Sequence, residues 1–390
     1  MRTLMYLPEH YEFFCPVKIN SGNKALEQLP FELDALNARK PLVIVGKDGS
    51  GRGLVDVIID AFKDSNVTIG IFEGVPSAPD LKLIRDLFNI YRGRGHDAII
   101  AIGGGPAADT AKALNIAVSG KPEDIEGCAG DDHVKEPLKP LIIVPTLAGT
   151  GYEVSKYAFF DGKNYASHFL MPNLVVIDPR MTIPEDTVTT IATALIALTH
   201  AVETYTGSGK NPLADAYAYT AIQLIMENLA NVIGDQQDGN GRLSLANAHA
   251  MAGCAFSNVA LGVAHNLGKV MGDMCHVPPG LCMGMLLPRV LEKQMSEGGY
   301  HISDLLLPLA GFDAYANMVE DLRARRAVDI LHDLLKGISV ANGGAISRLW
   351  KDAQLSEDTL QNIAQIAVGN GAIFDMEGCM KILREAKEGK

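Results

Sequence analysis

Short apolar runs alternate with helix-like stretches between about residue 40 and residue 180. Pro41–Val45 (PLVIV), Val67–Phe72 (VTIGIF), Asp97–Ile102 (DAIIAI), Leu141–Val144 (LIIV) and Leu174–Ile177 (LVVI) are continuous rather than alternating. Runs of that kind predict strands covered on both faces, as in a parallel sheet. Asp80–Gly93 and Ala107–Ser119 supply the helical crossovers. The alternation predicts a doubly wound α/β sheet. After Pro184 the texture changes to long stretches rich in Ala, Leu, Met and Ile. Helices are predicted over Thr187–Tyr205, Asn211–Ile233, Leu243–Met274, Gly284–Met295, Tyr315–Leu335, Ile346–Lys351, Ser356–Gly369 and Asp375–Lys387. Asn211-Pro212 and Pro278-Pro279-Gly280 punctuate them. The expected organisation is a nucleotide-binding α/β domain over residues 1–184 and an all-helical domain over residues 185–390.

Composition narrows the class. The 390 residues carry 34 Lys+Arg against 46 Asp+Glu, a net charge of −12, with 47% hydrophobic residues. That balance is globular rather than disordered. An acidic surface argues against a nucleic-acid or anionic-membrane partner. No run approaches the ~20 apolar residues of a membrane span, and the N-terminus lacks the features of a signal peptide. The cysteines (Cys15, Cys128, Cys254, Cys275, Cys282, Cys379) form no CxxC pair and read as reduced thiols. The expectation is a cytoplasmic protein.

The strongest local signal runs from Asp97 to Lys112: an apolar strand, the turn Gly103-Gly104-Gly105, then a helix beginning near Pro106. Gly105 has no Cβ, so a phosphate can approach the backbone, and the helix N-terminus offers free N–H groups. Asp109 is expected in the first turn, where its charge suits the helix dipole. A second loop, Pro145-Thr-Leu-Ala-Gly-Thr-Gly-Tyr-Glu-Val-Ser155, follows the fourth run, with Thr146 and Thr150 offering hydroxyls. Two such loops at the ends of parallel strands are where an open α/β sheet binds a dinucleotide.

These residues carry a family resemblance. GGGPAADTAK resembles the GGGSxxDxAK loop of the iron-containing (group III) alcohol dehydrogenases, and PTLAGTGYEVS resembles their PTTAGTGSEVT loop. The match continues through VVIDPRMT, LTHAVETYTG, NPLADAYAYTAIQLI, AGCAFSNVALG and PPGLCMGMLLPRV. The resemblance implies the dehydroquinate synthase-like architecture of that family: a Rossmann-like domain, an all-α domain and a cleft between them. It implies hydride transfer between NAD(P) and an alcohol or aldehyde, in a homodimer or larger homo-oligomer. Lys47 stands about where the family often has an Asp facing the adenosine ribose. Loss of that acid favours NADP, with Lys47 or Arg52 pairing a 2′-phosphate; a one-residue shift would put Asp48 there and favour NAD. Lys163 resembles a family lysine near the cofactor. Tyr152 stands where the family has Ser, either narrowing the nicotinamide end or simply packing.

The same resemblance implies a site for Fe²⁺ or Zn²⁺, held by an Asp and a His four apart on one helix and by two further histidines. His200 is present, but Ile196 replaces the Asp. Placed without a gap from Phe256 to Gly280, His265 falls on one remaining ligand and Pro279 on the other; Lys269 falls on a further active-site His. His276 is the candidate third ligand if the loop shifts. Cys275 and Cys282 read as small buried hydrophobes. His200 and His265 alone are a poor set, since catalytic zinc sites use three protein ligands. A metal-independent or weakly metal-binding oxidoreductase is therefore expected, with His200, His265 and Lys269 as the catalytic polar groups and Lys269 buried near the histidines, its pKa lowered. A metal-dependent enzyme with rearranged ligands and a nucleotide-binding protein without turnover are the alternatives. Glu203 is expected either to orient His200 or to act as a structural acceptor. His249 is expected at the surface or an interface, and Trp350 in the core.

Overall fold

A computed structural model describes residues 8–50, 52–147, 151–183, 185–298, 301–344, 355–369 and 374–388. The described residues form two compact units. One comprises residues 15–185 and 237–253, the other residues 8–14, 186–236 and the described part of 254–390.

The first unit is built on six parallel strands: β1 (Lys18–Ser21), β2 (Pro41–Gly46), β3 (Gly70–Val75), β4 (Ala98–Ile102), β6 (Leu141–Val144) and β9 (Leu174–Ile177). Their order is β1-β9-β6-β4-β2-β3. Every residue of β2, β4, β6 and β9 is buried, which is why these strands are continuous apolar runs. The strand predicted over Val67–Phe72 lies slightly later, and as an edge strand β3 is partly exposed. β1 was not legible: Lys-Ile-Asn-Ser contains no apolar run, and it pairs only with β9 at the other edge. A second, three-stranded sheet has the order β5 (Gly130–Asp131), β8 (Lys163–Ala166), β7 (Tyr157–Phe160). β7 and β8 are antiparallel, and Asp161 (φ 49°) and Gly162 (φ 73°) make the two-residue turn between them. Positive φ at both central residues is what a type I′ hairpin turn requires, and Asp-Gly supplies it.

Helices α1 (Leu54–Phe62), α2 (Leu81–Arg94) and α3 (Gly105–Ser119) belong to this unit. The Asp80 side chain caps α2 by accepting from Leu83 N, and Gly95 (φ 66°) ends it. Residues 237–253 also join this unit, so the expected 184/185 division does not describe them. Arg242 is wholly buried, donates to the Glu185 carbonyl and pairs with the buried Glu185 carboxylate at 3.3 Å. Asn247 donates to Ser21 Oγ.

The second unit is helical: α4 (Thr187–Thr206), α5 (Pro212–Gly234), the end of α6 (Gly239–Phe256), α7 (Val263–Cys275), α8 (Pro279–Ser296), α9 (Leu306–Asn317), α10 (Glu320–Ala341), α11 (Glu357–Gly369) and α12 (Met376–Glu388). Asp186 caps α4, and Asn211 caps α5 with Pro212 as its first helical residue. The single helix predicted over Leu243–Met274 is two helices. Between them Asn258 leaves the helical path, accepts from Phe14 N and donates to the Cys254 carbonyl, and Gly262 starts α7. The helix predicted over Tyr315–Leu335 divides into α9 and α10 at Met318–Val319. The helix expected over Ile346–Lys351 and the core position expected for Trp350 lie outside the described residues. No helix among the described residues is long and apolar enough to cross a membrane. All six cysteines are free thiols.

Candidate functional site

In the first unit the chain passes from β2 outward to β3 and then returns to lay β4 on the other side of β2. That reversal is the topological switch point, where open α/β sheets bind ligands beyond their strand ends. The triple glycine lies there. Gly103 has φ +151°, and a Cβ on it would meet Ala107 Cβ at 2.6 Å and Gly46 N at 3.5 Å. Only glycine allows the β4 end, the β2 end and α3 to come together so closely. Gly104 is the N-cap of α3 and Gly105 its first residue. A Cβ on Gly105 would meet nothing within 4 Å. The open direction, together with the free N–H groups of a helix N-terminus, fits a phosphate.

Asp109, expected in the first turn of α3, lies beyond it, because the helix begins at Gly105. It sits one turn in, close enough for its carboxylate to act on Lys112 and Tyr152. Thr146 is buried after β6, and its carbonyl accepts from Arg52 at 3.2 Å. Arg52, an alternative partner for a 2′-phosphate, is thus engaged with the second glycine loop. Lys47 is exposed directly after β2. Lys163 begins β8 and pairs with Glu126 at 2.9 Å. Gly149 and Thr150 lie outside the described residues.

Lys112 is the residue of this site that sequence reasoning missed. It is fully buried, and its Nζ donates to the carbonyls of Tyr152 (3.0 Å), Ser155 (2.9 Å) and Tyr157 (2.6 Å). One ammonium thus ties the end of the second glycine loop to α3. Burial pushes its pKa down to about 8, against the pull of Asp109 and Glu153. The available signal was a lysine inside the otherwise small and apolar Thr-Ala-Lys-Ala-Leu stretch.

In the helical unit, His200 on α4 and His265 on α7 meet. His200 Nε2 and His265 Nδ1 are 2.9 Å apart, at hydrogen-bond distance, and both rings are buried. Phe256 lies edge-on to His200 with ring centroids 4.5 Å apart. Burial, and then the charge of Lys269, push the His265 pKa down to about 4. Glu203, one turn after His200, serves His265 instead. Its carboxylate accepts from Gly262 N (3.1 Å), Ala264 N (2.6 Å) and His265 N (3.3 Å). It therefore caps α7 from a different helix and fixes the turn that carries His265. Gly262 makes this possible: a Cβ there would lie 2.4 Å from Glu203 Oε1. Burial pushes Glu203 up to about 7 against the pull of those N–H groups.

Lys269 is one turn beyond His265 but is not buried with it. Its side chain is 38% exposed and pairs with Asp273 at 3.1 Å. His276 does not join the histidines either. It is the exposed C-cap of α7, held at φ 55°. His249, expected outside, is fully buried on α6, with Nδ1 against the Leu245 carbonyl.

The described residues around His200 and His265 do not fit a divalent cation. Ile196 and Pro279 carry no donor, and both lie in helix contacts. A Cβ on Gly280 of α8 would lie 1.9 Å from Ala192 O and 2.8 Å from Ile196 Cγ1 of α4, and one on Gly272 of α7 would lie 2.8 Å from Pro279 Cα. Among the described residues no three His, Cys, Asp or Glu side chains gather as a ligand group, whereas protein zinc sites use three or four.

The α/β unit thus carries a glycine cradle at its switch point, where open α/β sheets bind ligands, and the helical unit carries a buried histidine pair. Residues 16–179 match the family described as iron-containing alcohol dehydrogenase, and residues 190–385 match the C-terminal part of the Fe-containing alcohol dehydrogenase family. A 1,3-propanediol dehydrogenase of Klebsiella pneumoniae is 30% identical over 312 residues, 78% of this chain and 79% of that one. The choline dehydrogenase of Bacillus subtilis (strain 168) is 26% identical over 372 residues, covering 91% of this chain and 92% of its own. The crystal structure of a 1,3-propanediol oxidoreductase superposes with a TM-score of 0.88 at 26% identity, covering 97% of this chain and 100% of that one. The chain belongs to the iron-containing alcohol dehydrogenase family.

Proposed function

We propose that the protein is an NAD(P)-dependent oxidoreductase that interconverts an alcohol and an aldehyde without a resident metal ion. The observation that carries this reading is the glycine cradle at the switch point; it is supported by the motif resemblance, which puts Ile196 and Pro279 where the family has metal ligands. When bound, the dinucleotide supplies or accepts the hydride. The N–H groups at the start of α3 hold its phosphate, and Gly105 leaves the approach open. Lys47 favours NADP by pairing with a 2′-phosphate. One ring N–H of the His200–His265 pair is spent between the two rings, and the other, with the Lys269 ammonium, is a donor for the oxygen that gains charge during carbonyl reduction. Glu203 positions His265 by fixing the first turn of α7.

The test is an aldehyde panel with NADPH and NADH, on protein purified without oxygen and analysed for metal. The expected outcome is turnover, faster with NADPH, with no stoichiometric iron or zinc and no loss on chelation. Stoichiometric metal, together with activity abolished by chelator and restored by Fe²⁺ or Zn²⁺, would overturn the metal-independent reading. The apolar packing of Ile196 and Pro279 also favours a second reading, a nucleotide-binding protein without turnover. NADPH binding with no turnover on any aldehyde would select it.

A further inference from the structure

The glycine cradle is open along the Gly105 direction but crowded elsewhere. Among the described residues its pocket is lined by the three glycines, Pro145, Leu147 and Tyr152, with Ala108 of α3 and the buried Glu153. The space left for the centre of a water molecule is about 10 Å³, room for roughly one water and far less than a pyrophosphate needs. Leu147 rests on the glycine backbone, for a Cβ on Gly104 would lie 2.8 Å from Leu147 Cδ1. Tyr152 also lines this space. Its hydroxyl is held above the ordinary tyrosine range by burial and by the Asp109 carboxylate of α3, so it stays protonated against that helix. The backbone that carries the ring is held in place. The Tyr152 carbonyl and those of Ser155 and Tyr157 are gathered on the single buried ammonium of Lys112. The short turn Tyr152–Val154 is thereby pinned to α3.

We infer that the Tyr152 side chain and the phosphate of a nucleotide compete for the space in front of the α3 N-terminus, so that Tyr152 sets how tightly this chain binds a pyrophosphate-containing ligand. The inference rests on the nucleotide-binding reading above. Entry of the ligand must displace an aromatic ring whose backbone is clamped, and the work of displacing it is subtracted from the binding free energy. A smaller side chain removes that work without touching the N–H groups that receive the phosphate.

The experiment is calorimetric titration of the whole chain and of Tyr152→Ser and Tyr152→Phe with NADPH, ADP-ribose and adenosine, with thermal melts as a folding control. Tyr152→Ser is expected to bind NADPH and ADP-ribose at least tenfold more tightly than the parent, with adenosine, which has no phosphate, unchanged. Tyr152→Phe keeps the ring and is expected to behave as the parent. If the parent binds NADPH and Tyr152→Ser binds it equally or more weakly, the inference is overturned while the nucleotide reading stands. Equal tightening for adenosine overturns it too, because the change would then be a general loosening of the fold. If neither the parent nor Tyr152→Ser binds any of the three ligands, the inference and the nucleotide reading fall together.

Discussion

His265 is a group whose charge state the fold decides. Its pKa is pushed from the ordinary 6.5 to about 4 by burial and by Lys269. Between those values the unfolded chain binds a proton that the folded chain refuses. The contribution of this residue is therefore fully present above pH 6.5 and is lost as the pH falls towards 4. Glu203 works in the opposite sense, since its raised pKa makes the folded chain the better proton binder between 4.5 and about 7. The two partly cancel in the parent protein, so the effect has to be read as a difference. The stability advantage of the parent over His265→Asn, measured by urea unfolding, is expected to widen by up to about 3 kcal/mol as the pH rises from 4 to 6.5. A pH-independent difference would show that His265 is not held neutral. Lys269 gives the second prediction at this scale. Half-exposed and paired with Asp273, it is not part of the packed core, so Lys269→Ala is expected to fold normally. Its aldehyde turnover should fall by at least tenfold with nucleotide affinity unchanged. Equal turnover would remove Lys269 from the catalytic group.

Among the elements, close approach of helices decides the most. α4 and α8 pass so near one another at Gly280 that a Cβ would stand 1.9 Å from Ala192 O. Backbone cannot yield as a side-chain end can, so Gly280→Ala must force the helices apart. A cost of about 2 kcal/mol or more is expected, typical of overpacking. Gly337, inside α10, meets nothing within 4 Å. There the same change should stabilise by about 0.5–1 kcal/mol through helix propensity. Chemical denaturation of the two variants tests the pair, and equal effects would refute the packing argument. The break between α6 and α7 is of the same kind. Leu243 to Met274 is apolar enough to be one helix, but the Glu203 carboxylate captures the N–H groups of Gly262, Ala264 and His265 and starts a new helix there. Neither the capture nor the helix contact at Ile196 can be seen from spacing, because each joins residues far apart in the chain.

For the whole molecule, the local patterns determined the class of fold. Buried parallel strands must be apolar on both faces, so β2, β4, β6 and β9 announced themselves as continuous runs, and the Asp-Gly turn announced the β7–β8 hairpin. The glycine triplet marked the turn from β4 into α3, because at Gly103 positive φ and close backbone approach exclude every other residue. The tertiary structure alone decided the rest. The edge strand β1 is stabilised by pairing with β9 rather than by its own hydrophobicity. Residues 237–253 join the α/β unit through a buried Arg242–Glu185 contact. Glu203 serves the histidine on another helix rather than the one on its own, and Lys112 reaches three carbonyls of a distant loop. Burial, partner and charge state are properties of the space around a side chain, and that space is assembled from segments the sequence does not place next to one another.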